Sequence, residues 1–153
     1  MSSTQTAALV IGAGPGISGA FAAELARAGY AVALASRDRA KTVALAESLG
    51  ARAYAVDASQ PEQIVQLFEA VEHDLGCAPE VVLYNPSGRV RGDLLSLDIR
   101  AAQAAIQLTA IGALATAQEA ARRMIPKGRG ALFFTGATAG VKGFARSTVF
   151  AMG

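Results

Sequence analysis

Apolar residues along this chain follow two alternating spacings. Ala7–Gly12 is a short, continuous apolar run, as expected of a strand buried on both faces of a parallel sheet, and Tyr30–Ser36, Arg52–Val56, Val81–Tyr84 and Ala131–Thr135 read as four further strands. Between them lie longer stretches in which apolar positions recur every three or four residues, the signature of amphipathic helices. These predict helices over Ile17–Ala28, Arg39–Leu49, from Ser59 to about His73, and from about Asp98 to Met124. Gly29 and Gly50 stand where the first two helices should stop. Ser59-Gln-Pro-Glu62 reads as a capping box opening the third. In the fourth, Ile99, Ala102, Ile106, Thr109, Ala113, Ala117 and Ala120 form one stripe, poor in large side chains and suited to close approach by a sheet or helix. Gly76-Cys-Ala-Pro79 and Asn85-Pro-Ser-Gly88 punctuate the chain, and Ser147 looks like the N-cap of a helix that the chain does not complete. Five such units predict an α/β fold: one doubly wound, mostly parallel sheet in the order 3-2-1-4-5, with helices on both faces. No internal linker separates a second domain.

Composition narrows this picture mainly by exclusion. At 153 residues, 52% hydrophobic and 17% charged, the chain fits one globular domain and is no disordered segment. A net charge of +2, with no basic block, gives no footing for nucleic acid. Cys77 is alone, so neither a disulfide framework nor a cysteine metal cluster can form within one chain, and no metal site is expected. His73, the single histidine, reads as a solvated helix-end residue. The first residues lack a basic, then apolar, leader pattern, and no apolar run approaches the ~20 residues of a membrane span. A cytoplasmic protein is expected.

The candidate chemistry begins at Gly12. A strand runs into Gly12-Ala-Gly14-Pro-Gly16-Ile-Ser-Gly19 and a helix follows. Such a turn lets backbone N–H groups approach a pyrophosphate at the positive end of a helix dipole. Gly14, Gly16 and Gly19 fit the G-x-G-x-x-G spacing, whereas a register starting at Gly12 would need glycine at Ile17. The turn nominates Gly12, Gly14, Gly16 and Ile17 as dinucleotide contacts; the alternative is a turn that serves only tight helix packing. At the end of the second strand, where NAD- and flavin-binding chains usually carry an acid, this chain reads Ala35-Ser-Arg-Asp-Arg39. Ser36 replaces the acid and Arg37 can pair with a 2′-phosphate, which favours NADP(H) with NAD(H) as second candidate. Arg37 and Arg39 could equally be a solvated helix entry.

These residues resemble the short-chain dehydrogenase/reductase family, whose domain is an NAD(P)-binding Rossmann fold. The resemblance extends over essentially the whole chain: Gly12 to Gly16, Ser36-Arg37, Val56-Asp57, Asn85-Pro-Ser-Gly88, Gly130 and Thr135-Gly-Ala-Thr-Ala-Gly140. Against the family turn T-G-x-x-x-G-x-G, Gly12 and Gly16 match, Ile11 replaces threonine and Ser18 replaces the last glycine. The resemblance implies that Asp57 binds the adenine edge, and that Asn85 and Gly88 support the central sheet and line the cofactor ribose. Asp57 could instead be a helix-preceding cap, and Asn85 a turn-stabilising side chain.

The family's catalytic pattern fits poorly. It implies a serine after the fifth strand, a tyrosine thirteen residues on within Y-x-x-x-K, and an asparagine in the long helix. Here these positions fall on Ala137, Phe150 and Thr109, and the lysine position lies just beyond Gly153. Thr135 and Thr138 remain as hydroxyls near the expected nicotinamide site. The chain therefore reads as a single domain over 1–153, C-terminally incomplete and truncated before the last strands of such a domain.

The first functional expectation is an NAD(P)-dependent oxidoreductase of the short-chain type, moving hydride between NADP(H) and a small-molecule carbonyl or alcohol. With its usual serine, tyrosine and lysine altered or missing, the chain as given is expected to be inactive. The alternative is a non-catalytic dinucleotide-binding or oligomerising protein. A flavin or S-adenosylmethionine protein is a third reading, opposed by the missing acid at Ser36-Arg37. By the resemblance, the long helix is a docking surface for a homo-oligomer.

Overall fold

A computed structural model describes residues 5–153. Its five strands, β1 (Ala7–Ile11), β2 (Ala31–Ser36), β3 (Arg52–Ala55), β4 (Pro79–Tyr84) and β5 (Ala131–Phe134), form one sheet in the order β3-β2-β1-β4-β5. Every pairing is parallel. This is the architecture that the alternating periods predict, a Rossmann α/β fold.

β1 is central, and all five of its residues are buried. Because successive side chains point to opposite faces, it feeds two cores. Leu9 and Ile11 join Ala33, Val82 and Tyr84 beneath α3 (Pro61–Leu75), whose Ile64, Leu67, Phe68 and Val71 form one stripe. Val10 joins Val32, Leu34 and Leu83 beneath α1 (Ile17–Arg27) and α2 (Arg39–Leu49). Burying each of these branched side chains contributes about 1.5–3 kcal/mol, so the strand that launches the glycine turn is also the most firmly held.

Most boundaries fall within two residues of the sequence reading, and the starts of β4 and α3 differ for local reasons. β4 begins at Pro79 rather than Val81, because Pro79 pairs with Ala7 at the strand's first position, where a missing N–H is tolerated. The capping box at Ser59 does not form. Asp57 takes the Ser59 hydroxyl and N–H on its carboxylate, and Gln63, not Glu62, reaches back to the Asp57 N–H. Pro61 then opens α3 behind Gln60, which makes no side-chain cap.

The long fourth helix is not continuous. It divides into α4 (Ile99–Ile106), a π-turn over Gln107–Ile111, and α5 (Gly112–Met124). The π-turn follows from packing. A side chain at Gly112 would overlap the Ala58 carbonyl and the Tyr84 hydroxyl, so only glycine lets the helix approach so closely. Tyr84 donates its hydroxyl to the Leu108 carbonyl, and Gln107 donates to the Ser59 carbonyl at 3.0 Å. π-turns recur at functional sites; this one faces the carboxyl ends of the strands. Beyond β5, Thr138–Gly140 forms one tight turn and α6 (Thr148–Met152) packs against α4, with Ser147 at its N-cap position.

Candidate functional site

The strand order reverses between β1 and β4, and in open parallel sheets the crevice outside that point receives ligands. Gly12 enters this crevice with φ +79°, and its N–H and that of Ala13 donate to the Ala35 carbonyl at 2.9 and 3.0 Å. A side chain on Gly12 would meet Pro86, 2.8 Å from its nitrogen. Ser18, buried in the first turn of α1, donates to the Gly12 carbonyl and accepts from the Gly14 N–H, each at 3.1 Å. The serine standing at the family's last glycine thus clips the turn onto the helix. Gly19 is forced by contact with the Gly14 carbonyl.

Gly14 and Gly16 differ: a side chain on either would meet nothing within 4 Å. No packing among the described residues explains them. α1 also lacks a side-chain cap and has no acid in its first turn, whereas α2 and α4 are capped by Asp38 and Asp98. Uncapped N–H groups beside open space at a helix N-terminus suit an anionic group. The residues present therefore fit a dinucleotide pyrophosphate.

Beside the turn lies a cavity of about 270 Å³, lined among others by Gly12, Ser36, Arg37, Asn85 and Leu108. Ser36 donates its hydroxyl to the Asp38 carbonyl at 2.8 Å. Arg39 is tied to the Ala53 carbonyl at 2.9 Å, so it serves the β2–β3 edge. Arg37 is exposed at the cavity wall and makes no hydrogen bond or ion pair among the described residues. Asp57 bridges to Ser59 as described above. Those hydrogen bonds hold its carboxyl below the usual carboxylate range, with Arg37 adding a smaller pull. In this geometry Asp57 caps the turn into α3.

Asn85 joins three strand ends. Its side-chain amide donates to the Gly12 carbonyl at 3.0 Å, its side-chain oxygen accepts from Thr135 at 2.8 Å, and its backbone N–H donates to Ile11. Gly88 packs on Ala105, 2.5 Å from its Cα if a side chain were added, and donates to the Thr109 hydroxyl at 2.9 Å. Thr109, inside the π-turn, donates onward to the Ala105 carbonyl at 2.8 Å and abuts Gly153.

A second cavity, of about 440 Å³, brings together Ile17, Asn85, Thr109, Thr135, Ala137 and Phe150. The candidate positions from the turn, the long helix and the C-terminal segment therefore share one space. Thr138 is not on this wall. It lines an adjoining cleft of about 570 Å³ that shares Ala137, Phe150 and Arg89 with the cavity. Arg89 escaped the sequence reading. Its guanidinium lies 4.9 Å above the Phe150 ring, and the only signal was an arginine next to the Asn85–Gly88 turn.

Chemically, the second cavity can hold but has little with which to move a proton. The Thr109 hydroxyl is committed as donor and acceptor, and Thr135 donates to Asn85. Ala137 and Phe150 carry no transferable proton, Ser87 adds one hydroxyl, among the described residues no Asp, Glu, lysine or histidine side chain lines the space, and arginine stays charged. His73 lies away on α3, exposed beside Asp74. Among the described residues no group of three or more His, Cys, Asp or Glu could hold a metal, and no helix is long and apolar enough to cross a membrane.

Residues 6–152 match the family model described as short chain dehydrogenase. A Caenorhabditis elegans protein named as an uncharacterized oxidoreductase is 29% identical over 130 residues, covering 81% of this chain and 42% of that protein. The short-chain dehydrogenase from Rhodopseudomonas palustris superposes with TM-score 0.87 at 27% identity, covering 95% of this chain and 70% of that one. An NAD+-bound xylitol dehydrogenase shares the fold, with TM-score 0.86 at 24% identity over 95% of this chain and 58% of its own. The chain thus spans less than half the length of the curated relative it matches.

Proposed function

This chain belongs to the short-chain dehydrogenase family, and from that premise we propose that it is the dinucleotide-holding part of an oxidoreductase that moves hydride between NADP(H) and a carbonyl or alcohol. Gly14 and Gly16 at the start of α1 would hold the pyrophosphate, Arg37 would pair with the 2′-phosphate, and Asn85, Gly88 and Ile17 would border the nicotinamide half. The bound cofactor supplies the hydride. The single observation that carries this reading is Arg37: a guanidinium without a partner among the described residues, on the wall of the cavity that begins at Gly12, where β2 ends without a carboxylate. An Arg–phosphate contact is charge-assisted and bidentate, and discriminates the 2′-phosphate from a bare hydroxyl.

The catalytic half is weak by residue type. Ala137 and Phe150 replace the serine and tyrosine of the family pattern, and Thr109 replaces its asparagine. Thr138 can donate a hydrogen bond to a carbonyl but has no base beside it. General acid–base catalysis contributes about 10²–10⁴-fold where it operates, and the side chains of Ala137 and Phe150 do not supply it. NADPH fluorescence on titration with the protein, followed by loss of absorbance at 340 nm with a panel of aldehydes and ketones, tests both parts. Tight binding with little or no oxidation is expected. Absence of binding overturns the reading, and rapid oxidation overturns its catalytic half. The outward face running from α4 through the π-turn into α5, where Ile111 and Leu114 are exposed, is the surface through which we propose that copies associate.

A further inference from the structure

The 570 Å³ cleft beside Phe150 is distinguished by charge. Arg89, Arg91 and Arg146 all line it, and no aspartate or glutamate does. Its size is that of a small-molecule site. The three arginines come from two separate segments, after β4 and after β5, so their convergence is a product of the fold and not of local sequence.

Arg89 and Arg146 are placed in ways that a merely solvated surface does not require, and Arg91 stands beside them free of partners among the described residues. Arg89 places its guanidinium carbon 4.9 Å from the Phe150 ring centroid, a cation–π contact that holds it at the border of the cleft. Arg146 is the one non-glycine residue with positive φ among the described residues, at +60°. Left-handed backbone at a residue other than glycine is strained and tends to sit where a side chain must be aimed. The nearest counter-charge to Arg146 is Asp93, a loose 3.7 Å away and itself highly exposed. Arg91 makes no ion pair or hydrogen bond among the described residues. Thr138 and Ser147 add hydroxyls to the same wall.

We propose that this cleft binds the anionic group of a substrate, a carboxylate or phosphate borne by a small carbonyl compound or its alcohol, with Arg91 and Arg146 as the recognising forks. Guanidinium forks match both oxyanions bidentately. The cleft meets the 440 Å³ cavity at Ala137 and Phe150, so an anion held there leaves the carbonyl end of the molecule at that border. This assignment rests on the reading that the cavity receives the nicotinamide.

Calorimetric titration of the full chain, at fixed ionic strength and with and without saturating NADP+, tests it. One probe pair is 4-oxopentanoate and its methyl ester; the other is dihydroxyacetone phosphate and dihydroxyacetone. In at least one pair the anion binds about tenfold or more tighter than its neutral partner, and the pair showing this identifies the oxyanion as carboxylate or phosphate. Arg91→Ala and Arg146→Ala each remove most of that preference, while Arg100→Ala, on exposed α4, keeps it. Circular dichroism checks that each variant is folded, with Arg91→Gln and Arg146→Gln as substitutes for any that is not. Equal binding within both pairs, no binding of any probe, or a preference untouched by the Arg91 and Arg146 variants overturns the proposal. So does displacement of the anion by NADP+, which would assign the arginines to the dinucleotide. If NADP+ itself fails to bind, the functional reading falls, and the comparison on the dinucleotide-free chain still decides the cleft.

Discussion

Gly12→Ala and Gly14→Ala, two residues apart in one turn, should have opposite effects on stability. At Gly12 the backbone is left-handed, with φ +79°, and an added Cβ would lie 2.8 Å from the Pro86 nitrogen and 2.9 Å from its Cδ. The left-handed conformation costs alanine about 1–2 kcal/mol. The overlap adds about 1–3 kcal/mol, because Pro86 is a rigid ring on backbone anchored by Asn85 and cannot rotate away. The sum, about 2–5 kcal/mol, is large against a domain stability of about 5–15 kcal/mol. It lowers the melting midpoint by roughly 5–20 °C for a chain of this size. At Gly14 an added Cβ meets nothing within 4 Å and φ is ordinary. Gly14→Ala should therefore leave the midpoint unchanged, or raise stability by about 0.4–1 kcal/mol through the unfolded chain. Its methyl would nevertheless stand where the pyrophosphate approaches, and NADPH affinity should fall about tenfold or more. Differential scanning calorimetry and NADPH fluorescence titration on both variants supply the readouts. If Gly14→Ala melts as early as Gly12→Ala, or binds NADPH as well as the unaltered chain, the separation into structural and ligand-facing glycines is wrong.

Two further outcomes concern the scaffold. Glu119 is buried and pairs within α5 with Arg122 and Arg123, and Arg123 continues to half-exposed Glu72 on α3 at 3.0 Å; Glu119→Ala removes one of the two partners of Arg123 and should cost about 1–2 kcal/mol in urea denaturation, and a loss below about 0.5 kcal/mol would refute a stabilising role for this carboxylate. Burial, with a smaller effect of the hydrogen bond to Asp74, pushes the Tyr54 phenol up to about 12. Its stabilisation is therefore full below the ordinary phenol value near 10 and is lost as pH rises through about 12. Tyr54→Phe should remove that late step from the tyrosinate absorbance titration, and an unchanged titration would contradict the assignment.

The sheet was legible because its strands are short, largely apolar stretches alternating with helical periodicity, and α2 was legible to the residue from Arg39 to Leu49. Most of what escaped depended on partners distant in sequence. The π-turn at Gln107–Ile111 lies within an unbroken helical stripe. Its cause is the fit of Gly112 against Ala58 and Tyr84, which no local pattern signals. The Ser59–Glu62 pattern was a plausible capping box until Asp57, two residues earlier, took the serine. At the site, the glycine turn and Ser36-Arg37 could be read directly, since their chemistry is local. Sequence could not separate Arg37 from Arg39; the structure does, by the Ala53 carbonyl that engages only the second. Asn85 read as either a turn residue or a ribose neighbour. Its side chain in fact spans three strand ends, a role visible only once β1, β4 and β5 are side by side. Arg89, Arg91 and Arg146 went unnoticed because they converge only in the folded chain.

The central claim is that Arg37 makes this crevice a site for a phosphorylated dinucleotide. Parallel calorimetric titrations of NADPH and NADH against the unaltered chain and against Arg37→Ala test it most directly. The account predicts that NADPH binds the unaltered chain about tenfold or more tighter than NADH, and that Arg37→Ala weakens NADPH to the level of NADH while leaving NADH nearly unchanged. Equal affinity for the two cofactors, or a preference for NADPH that survives in Arg37→Ala, would contradict it.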